Sequence, residues 1–173
     1  MGSRRISAFA EPSASAACLD CMPPQNNKND YLDYLDALDF EELLELESKT
    51  PDDVDLLVRI GGGYFKRREL DKTRDYYDRA LEIDPNDGWT HTFMGNLLYG
   101  LRQYRDAIAA FKRAIELMPT VACPYWCLAD VYNAHGNFAL AEVNYNRAVE
   151  IDPDNKIARQ RLADWNDRYA SDA

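Results

Sequence analysis

Arg79-Ala80-Leu81-Glu82-Ile83-Asp84-Pro85, Arg113-Ala114-Ile115-Glu116-Leu117-Met118-Pro119 and Arg147-Ala148-Val149-Glu150-Ile151-Asp152-Pro153 are near copies, set 34 residues apart. Their agreement extends upstream, where Tyr77, Phe111 and Tyr145 each stand eight residues before the proline. A period of this length marks a stack of supersecondary units. Within each unit the apolar residues recur at three- and four-residue spacing, which is one face of an α-helix. Each unit therefore reads as two amphipathic helices. Small residues let the two backbones approach: Gly61, Gly95 and Ala129 in the first helices, and Ala80, Ala114 and Ala148 in the second. Turns are expected at Arg67-Arg68-Glu69, Leu101-Arg102-Gln103 and His135-Gly136-Asn137. Each proline lacks an amide donor and restricts the residue before it, so the second helix should stop there.

The pattern resembles the tetratricopeptide-repeat family, whose signature is a large residue, Leu-Gly and Tyr on one helix, then Ala, Phe, Ala and a closing proline on the next. Residues 54–87 match it with Leu57, Ile60, Gly61, Tyr64, Thr73, Tyr77, Ala80 and Pro85. Residues 88–121 offer His91, Met94, Gly95, Leu98, Ala107, Phe111, Ala114 and Pro119. Residues 122–155 offer Tyr125, Leu128, Ala129, Tyr132, Ala141, Tyr145, Ala148 and Pro153. Thr73, His91, Leu98 and Ala129 depart from the pattern without changing the packing it requires. The resemblance spans 102 of 173 residues and implies an all-α fold, an α-solenoid of three repeats in a right-handed superhelical stack. It is specific for fold and weak for function.

A stack of repeats needs covered ends. Lys156 to Tyr169 carries Ile157, Leu162, Trp165 and Tyr169 among polar residues and reads as a C-terminal capping helix within 156–173. Upstream, Pro51 lies 34 residues before Pro85, and Leu43 and Leu46 fall on second-helix packing positions. Residues 30–53 thus read as an acidic N-terminal cap or decayed repeat, helical over 30–48, with Tyr31, Tyr34, Leu35 and Leu38 ahead of it. Residues 1–29 lack periodicity and are rich in Ser, Ala, Pro and Asn, as in a disordered tail. Arg4 and Arg5 before Ser/Ala-rich sequence faintly resemble a transit peptide, which Glu11 and Pro12 interrupt.

The formal charge of −10 is concentrated: residues 30–55 hold eleven acids and one lysine, whereas from residue 56 onward 16 bases face 17 acids. That acidity argues against nucleic acid, whose phosphates are bound through clustered Lys and Arg. No apolar run reaches the length of a membrane helix, so insertion is not expected either.

Candidate chemistry is sparse. Cys18 and Cys21 have the spacing of half a zinc site, and Cys123 and Cys127 lie one helical turn apart. The first pair lies in the tail with no histidine nearby and the second would have to meet it from the third repeat, so all four are expected to be free thiols of a reducing cytoplasm, with no metal. Gly61-Gly62-Gly63 lies inside a predicted helix and lacks the Lys-Ser/Thr of a phosphate loop. His91 and His135 have no nucleophile at a supporting spacing. The bases Lys66, Arg67, Arg68, Lys72 and Arg74 are interleaved with Glu69, Asp71 and Asp75, as on a solvated edge, although they could also contact an acidic partner. No enzyme and no cofactor are expected.

The family resemblance implies that the second, fifth, ninth and twelfth residues of each first helix line a concave groove. These are Asp55, Val58, Gly62 and Phe65, then Trp89, Thr92, Asn96 and Tyr99, then Cys123, Trp126, Asp130 and Asn133. Aromatic anchors with a few amides make a peptide site. The expected function is therefore a cytoplasmic protein-interaction module, an adaptor or dedicated chaperone, binding a partner peptide or helix through Val58, Phe65, Trp89, Thr92, Asn96, Tyr99, Trp126, Asp130 and Asn133. The alternative is a structural scaffold that self-assembles into homo-oligomers or joins a larger complex. Members of the family that clamp a chaperone's C-terminal carboxylate use Lys, Arg and Asn where this chain has Val58, Cys123, Cys127, Gly62 and Phe93, so that mode is not expected.

Overall fold

A computed structural model of the protein describes Leu32, Leu35, Asp36 and residues 38–169. The readings of the tail, of Cys18 and Cys21, and of Tyr31 and Tyr34 lie outside the described residues. The helices are α1 (Phe40–Glu47), α2 (Val54–Lys66), α3 (Leu70–Ile83), α4 (Gly88–Gly100), α5 (Tyr104–Leu117), α6 (Ala122–Ala134), α7 (Phe138–Ile151) and α8 (Lys156–Tyr169), and there is no strand among the described residues.

Local sequence sets where each helix begins and ends. Asp39 opens α1 with a capping box, accepting from the Glu42 amide at 2.9 Å while Glu42 accepts from the Asp39 amide at 2.8 Å. Asp53 and Asp87 cap α2 and α4 by accepting from the amides of Leu56 and Thr90. The second helices stop at Ile83, Leu117 and Ile151, each two residues before its proline. Between the helices of each repeat the chain passes through the left-handed region at equivalent positions: Arg68 (φ 63°), Arg102 (φ 59°) and Gly136 (φ 80°). The same bond closes all three turns, from the amides of Glu69, Gln103 and Asn137 to the carbonyls of Tyr64, Leu98 and Tyr132.

The small residues act as the periodicity requires. A Cβ on Gly61 would stand 2.5 Å from the Tyr77 ring, and one on Gly95 would stand 2.7 Å from Phe111. The aromatic residue of each second helix therefore lies directly on its partner's backbone. Ala129 and Tyr145 are buried in the corresponding place in the third repeat. One apolar core runs through the repeats from Leu57 and Tyr77 to Ala158 and Trp165 on α8, so α8 closes the C-terminal end.

The N-terminal end is closed by a second cluster of Leu35, Leu43, Leu56 and Ile60. The Phe40 ring meets Tyr64 edge-on at 4.9 Å, and Glu47 accepts from Tyr76 Oη at 2.7 Å and from Arg79 at 2.6 Å. Burial, reinforced by the Glu47 hydrogen bond, pushes the Tyr76 hydroxyl pKa up to about 12. The acidic segment thus joins the fold through apolar residues on its inner side, and Glu47 and Asp36 are its ionic ties to the repeats.

Candidate functional site

The first helices of the repeats are neighbours in space, with α2 beside α4, α4 beside α6, and α6 beside α8. Together they form one face. Phe65, Trp89 and Tyr99 lie along it half-buried, each with part of its ring in contact with the core. Trp89 stacks on Phe93 at 6.3 Å, and Phe93 stacks on Tyr77 at 6.1 Å, which fixes the indole on the second repeat. Tyr99 packs against Tyr104, which in turn meets His135 at 5.7 Å.

Four of the nine residues expected to bind the partner are instead covered. Val58 is 6 % exposed, Thr92 0 %, Asn96 9 % and Trp126 2 %. Thr92 Oγ1 donates to the Gly88 carbonyl, and Asn96 Nδ2 donates to the Thr92 carbonyl, so both polar groups serve their own helix. Trp126 belongs to the apolar core and presents no free ring face. The physical reason is that Val58 and Trp126 turn into the apolar core, whereas Thr92 and Asn96 fold back on their own helix.

Asp130 is spoken for as well. It accepts from Tyr145 Oη at 2.5 Å and pairs with Arg161 of α8 at 2.6 Å, the two side chains being 14 % and 27 % exposed. Burial raises the Asp130 pKa, opposed by the Arg161 charge and by the Tyr145 and Arg161 hydrogen bonds. Burial also raises the Tyr99 hydroxyl, with the Asp130 charge acting in the same direction. Asn133 borders a polar cleft of about 120 Å³ with Asp130, Tyr145, Arg161, Trp165 and Arg168, and its Oδ1 is buried without a hydrogen-bond partner.

Cys123 is disulfide-bonded, and Cys127 is buried with its Sγ 4.0 Å from that of Cys123. The free-thiol expectation is corrected at Cys123, because spacing along a chain does not reveal which sulfurs meet in space. Disulfides persist in oxidising surroundings, so the thiols no longer argue for a cytoplasmic location.

Two parts of this face were not read from the sequence. One is Arg161, although extending the 34-residue register past Pro153 places α8 where a fourth first helix would stand. The other is the junction of the N-terminal segment with α2, where a cleft of about 240 Å³ opens between Leu35, Leu38, Leu43, Val58, Tyr77 and Phe93. Of the basic cluster, Arg67 lies 3.6 Å over the Phe40 ring and Lys72 pairs with Glu69 at 2.6 Å.

A family model described as "Tetratricopeptide repeat" matches residues 94–156, which run from the middle of the second repeat through the third. Those residues carry tetratricopeptide repeats. Among its relatives, the peroxisomal targeting signal receptor of Eremothecium gossypii is 31 % identical over 114 residues, covering 64 % of this chain and 18 % of the receptor. Protein O-mannosyl-transferase TMTC1 of Homo sapiens is 27 % identical over 104 residues, covering 58 % and 12 %. The chain thus spans less than a fifth of the length of either relative. Its fold is similar to the first tetratricopeptide domain of Spaghetti (RPAP3), solved with an HSP90 peptide, at a TM-score of 0.61 and 21 % identity over 77 % of this chain and 97 % of that one. No helix among the described residues is long and apolar enough to cross a membrane.

Proposed function

We propose that this tetratricopeptide-repeat protein is a non-enzymatic interaction module, an adaptor or dedicated chaperone that holds an extended or helical segment of a partner protein against the face made by α2, α4 and α6. The observation that carries the reading is the row of half-exposed rings Phe65, Trp89 and Tyr99, set on rigid helices beside a largely buried polar background. Such rings lose little entropy on binding and concentrate binding energy. Two similarities support it: the Spaghetti domain is solved with a bound peptide, and the Eremothecium relative is named as a receptor for a targeting signal. Asn133, with an unpaired buried carbonyl at the far end of the same face, would orient the segment.

The test is capture of a partner by the full chain, followed by calorimetry on the double variant Trp89→Ala, Tyr99→Ala. Each ring should contribute about 2 kcal/mol or more, and circular dichroism should show the fold intact. Lys112→Glu on α5 is the control, with only a screened long-range effect on affinity. Undiminished binding by the double variant together with loss in the control would move the site to the outer side.

A specific observation favours scaffolding as the second reading. Phe138, Leu140 and Val143 of α7 are exposed, Val143 by 62 %, whereas the first repeat has Leu70, Lys72 and Asp75 at those positions. An apolar patch of this kind often marks an interface. Sedimentation that stays monomeric over a wide concentration range would remove self-assembly.

A further inference from the structure

We propose that the cleft between the N-terminal segment and α2 is a specificity pocket for one apolar side chain of the partner, flanked in the partner's sequence by acidic residues. The proposal rests on the groove reading above and names which segment the groove selects.

The cleft is apolar within and cationic at its mouth. Leu35, Leu38, Leu43, Val58, Tyr77 and Phe93 line about 240 Å³, enough space for a large aliphatic or aromatic side chain. Arg59, Lys66 and Arg67 border it as well. Arg59 is neutralised, its Nε donating to Asp36 at 2.9 Å. The other two cations are not. Among the described residues, Arg67 has its guanidinium over the Phe40 ring and no ion-pair partner, and exposed Lys66 has neither an ion-pair nor a hydrogen-bond partner. Two positive charges with no ionic partner among the described residues therefore stand beside an apolar cavity. Burial of an apolar side chain supplies the affinity there, and the cations select neighbours of opposite charge.

The same place in the other repeats is closed. Gly62 corresponds in register to Asn96 and Asp130, one folded back on its own helix and the other tied to Tyr145 and Arg161. Glycine leaves no side chain at the cleft wall, and the 2.9 Å bond from Arg59 to Asp36 holds the N-terminal segment as the opposite wall. Because Val58 stands where a carboxylate clamp would need a cation, the pocket calls for an internal acidic-apolar-acidic stretch and not for a chain terminus.

The probe is a fluorescein-labelled synthetic peptide, Gly-Ser-Asp-Glu-Leu-Asp-Glu-Ser-Gly, with an amidated C-terminus, titrated into the full chain by anisotropy. Replacing its leucine by alanine should weaken binding about tenfold, as expected for the loss of most of a buried leucine. Replacing its acids by lysines should abolish binding, and a free C-terminus should leave affinity within about twofold, as befits a screened, non-specific charge. Lys66→Glu lies on the surface and should weaken the parent peptide about tenfold, while Lys112→Glu should leave it within about twofold. Methyl NMR should show Val58 and Leu38 shifting with the leucine peptide and not with its alanine counterpart. Unmoved Val58 and Leu38 methyls, an unchanged Lys66→Glu affinity, or saturation of these shifts by dodecanoate but not by the peptide would each overturn the pocket. If a captured partner is lost by Trp89→Ala, Tyr99→Ala but kept by Lys66→Glu, the groove stands and the pocket fails. The reverse pattern would sink the groove and keep the pocket.

Discussion

The two ends of the repeat stack occupy equivalent positions and have opposite chemistry. At the first repeat, Val58 and Gly62 border an apolar cleft with Lys66 and Arg67 at its mouth. At the third, their counterparts Trp126 and Asp130 are core and ion pair, and the surrounding cleft is polar. A 34-residue register places a side chain in the stack without deciding whether a partner can reach it. What decides is the element laid over each end. The N-terminal segment leans on α2 through leucines and leaves a gap beside them, whereas α8 brings Arg161 into contact with the only groove carboxylate of the third repeat.

Removing the first end should have the largest effect. Deleting residues 1–48 uncovers Leu56 and Ile60 and discards the buried Leu35 and Leu43, and at ~1.5–3 kcal/mol per buried leucine the loss should reach about 3–6 kcal/mol by urea denaturation. A truncated chain with unchanged stability would show that α1 is no part of the fold's closure. At the other end, Asp130→Ala leaves the Tyr145 hydroxyl and the half-buried Arg161 without their acceptor, and should cost about 3 kcal/mol. A neutral outcome would mean that α8 is held by Trp165 and its apolar neighbours alone.

Between the ends, Ala114→Leu should cost about 1–3 kcal/mol by overpacking a site with no exposed surface, and Ala110→Leu, one turn earlier and half-buried, should cost less. The inverse order in thermal melts would mean that the face of α5 has been misassigned. Arg102→Gly, by contrast, should stabilise by about 0.5–1 kcal/mol, because the turn requires φ 59° there and the third repeat already meets the same demand with Gly136. No gain would imply that the arginine side chain compensates for its strain.

The smallest effect is pH-dependent and sharpens the contrast at Asp130. Its pKa is raised above 3.8, so its contribution to stability is fully present below that value and is lost as pH rises through the elevated folded value. Wild type should therefore gain on Asp130→Asn as pH falls from 7 toward 4, by a few tenths of a kcal/mol in paired melts, since the pair partly offsets its own desolvation. A gap that widens in favour of wild type as pH rises would mean that Arg161 outweighs burial.

Much of this was legible along the chain. Period, helix faces, turn positions, closing prolines and both caps follow from local chemistry: each depends on residues within a turn or two, or on the recurrence of small and large residues that must meet. The rings Phe65, Trp89 and Tyr99, which the family register assigns to the groove, are half-exposed. The register could not separate them from Trp126, Thr92 and Val58, because identical positions differ in what packs over them.

The sequence alone thus determined an all-α stack of repeats. Only the tertiary structure decided which of the groove side chains remain open, that Asp130 is spent on Arg161, and that the N-terminal leucines frame a cleft against Val58. Secondary structure is set by neighbours along the chain, whereas exposure is set by neighbours in space, and here those come from segments 23 and 31 residues away, at Asp36 against Arg59 and at Asp130 against Arg161.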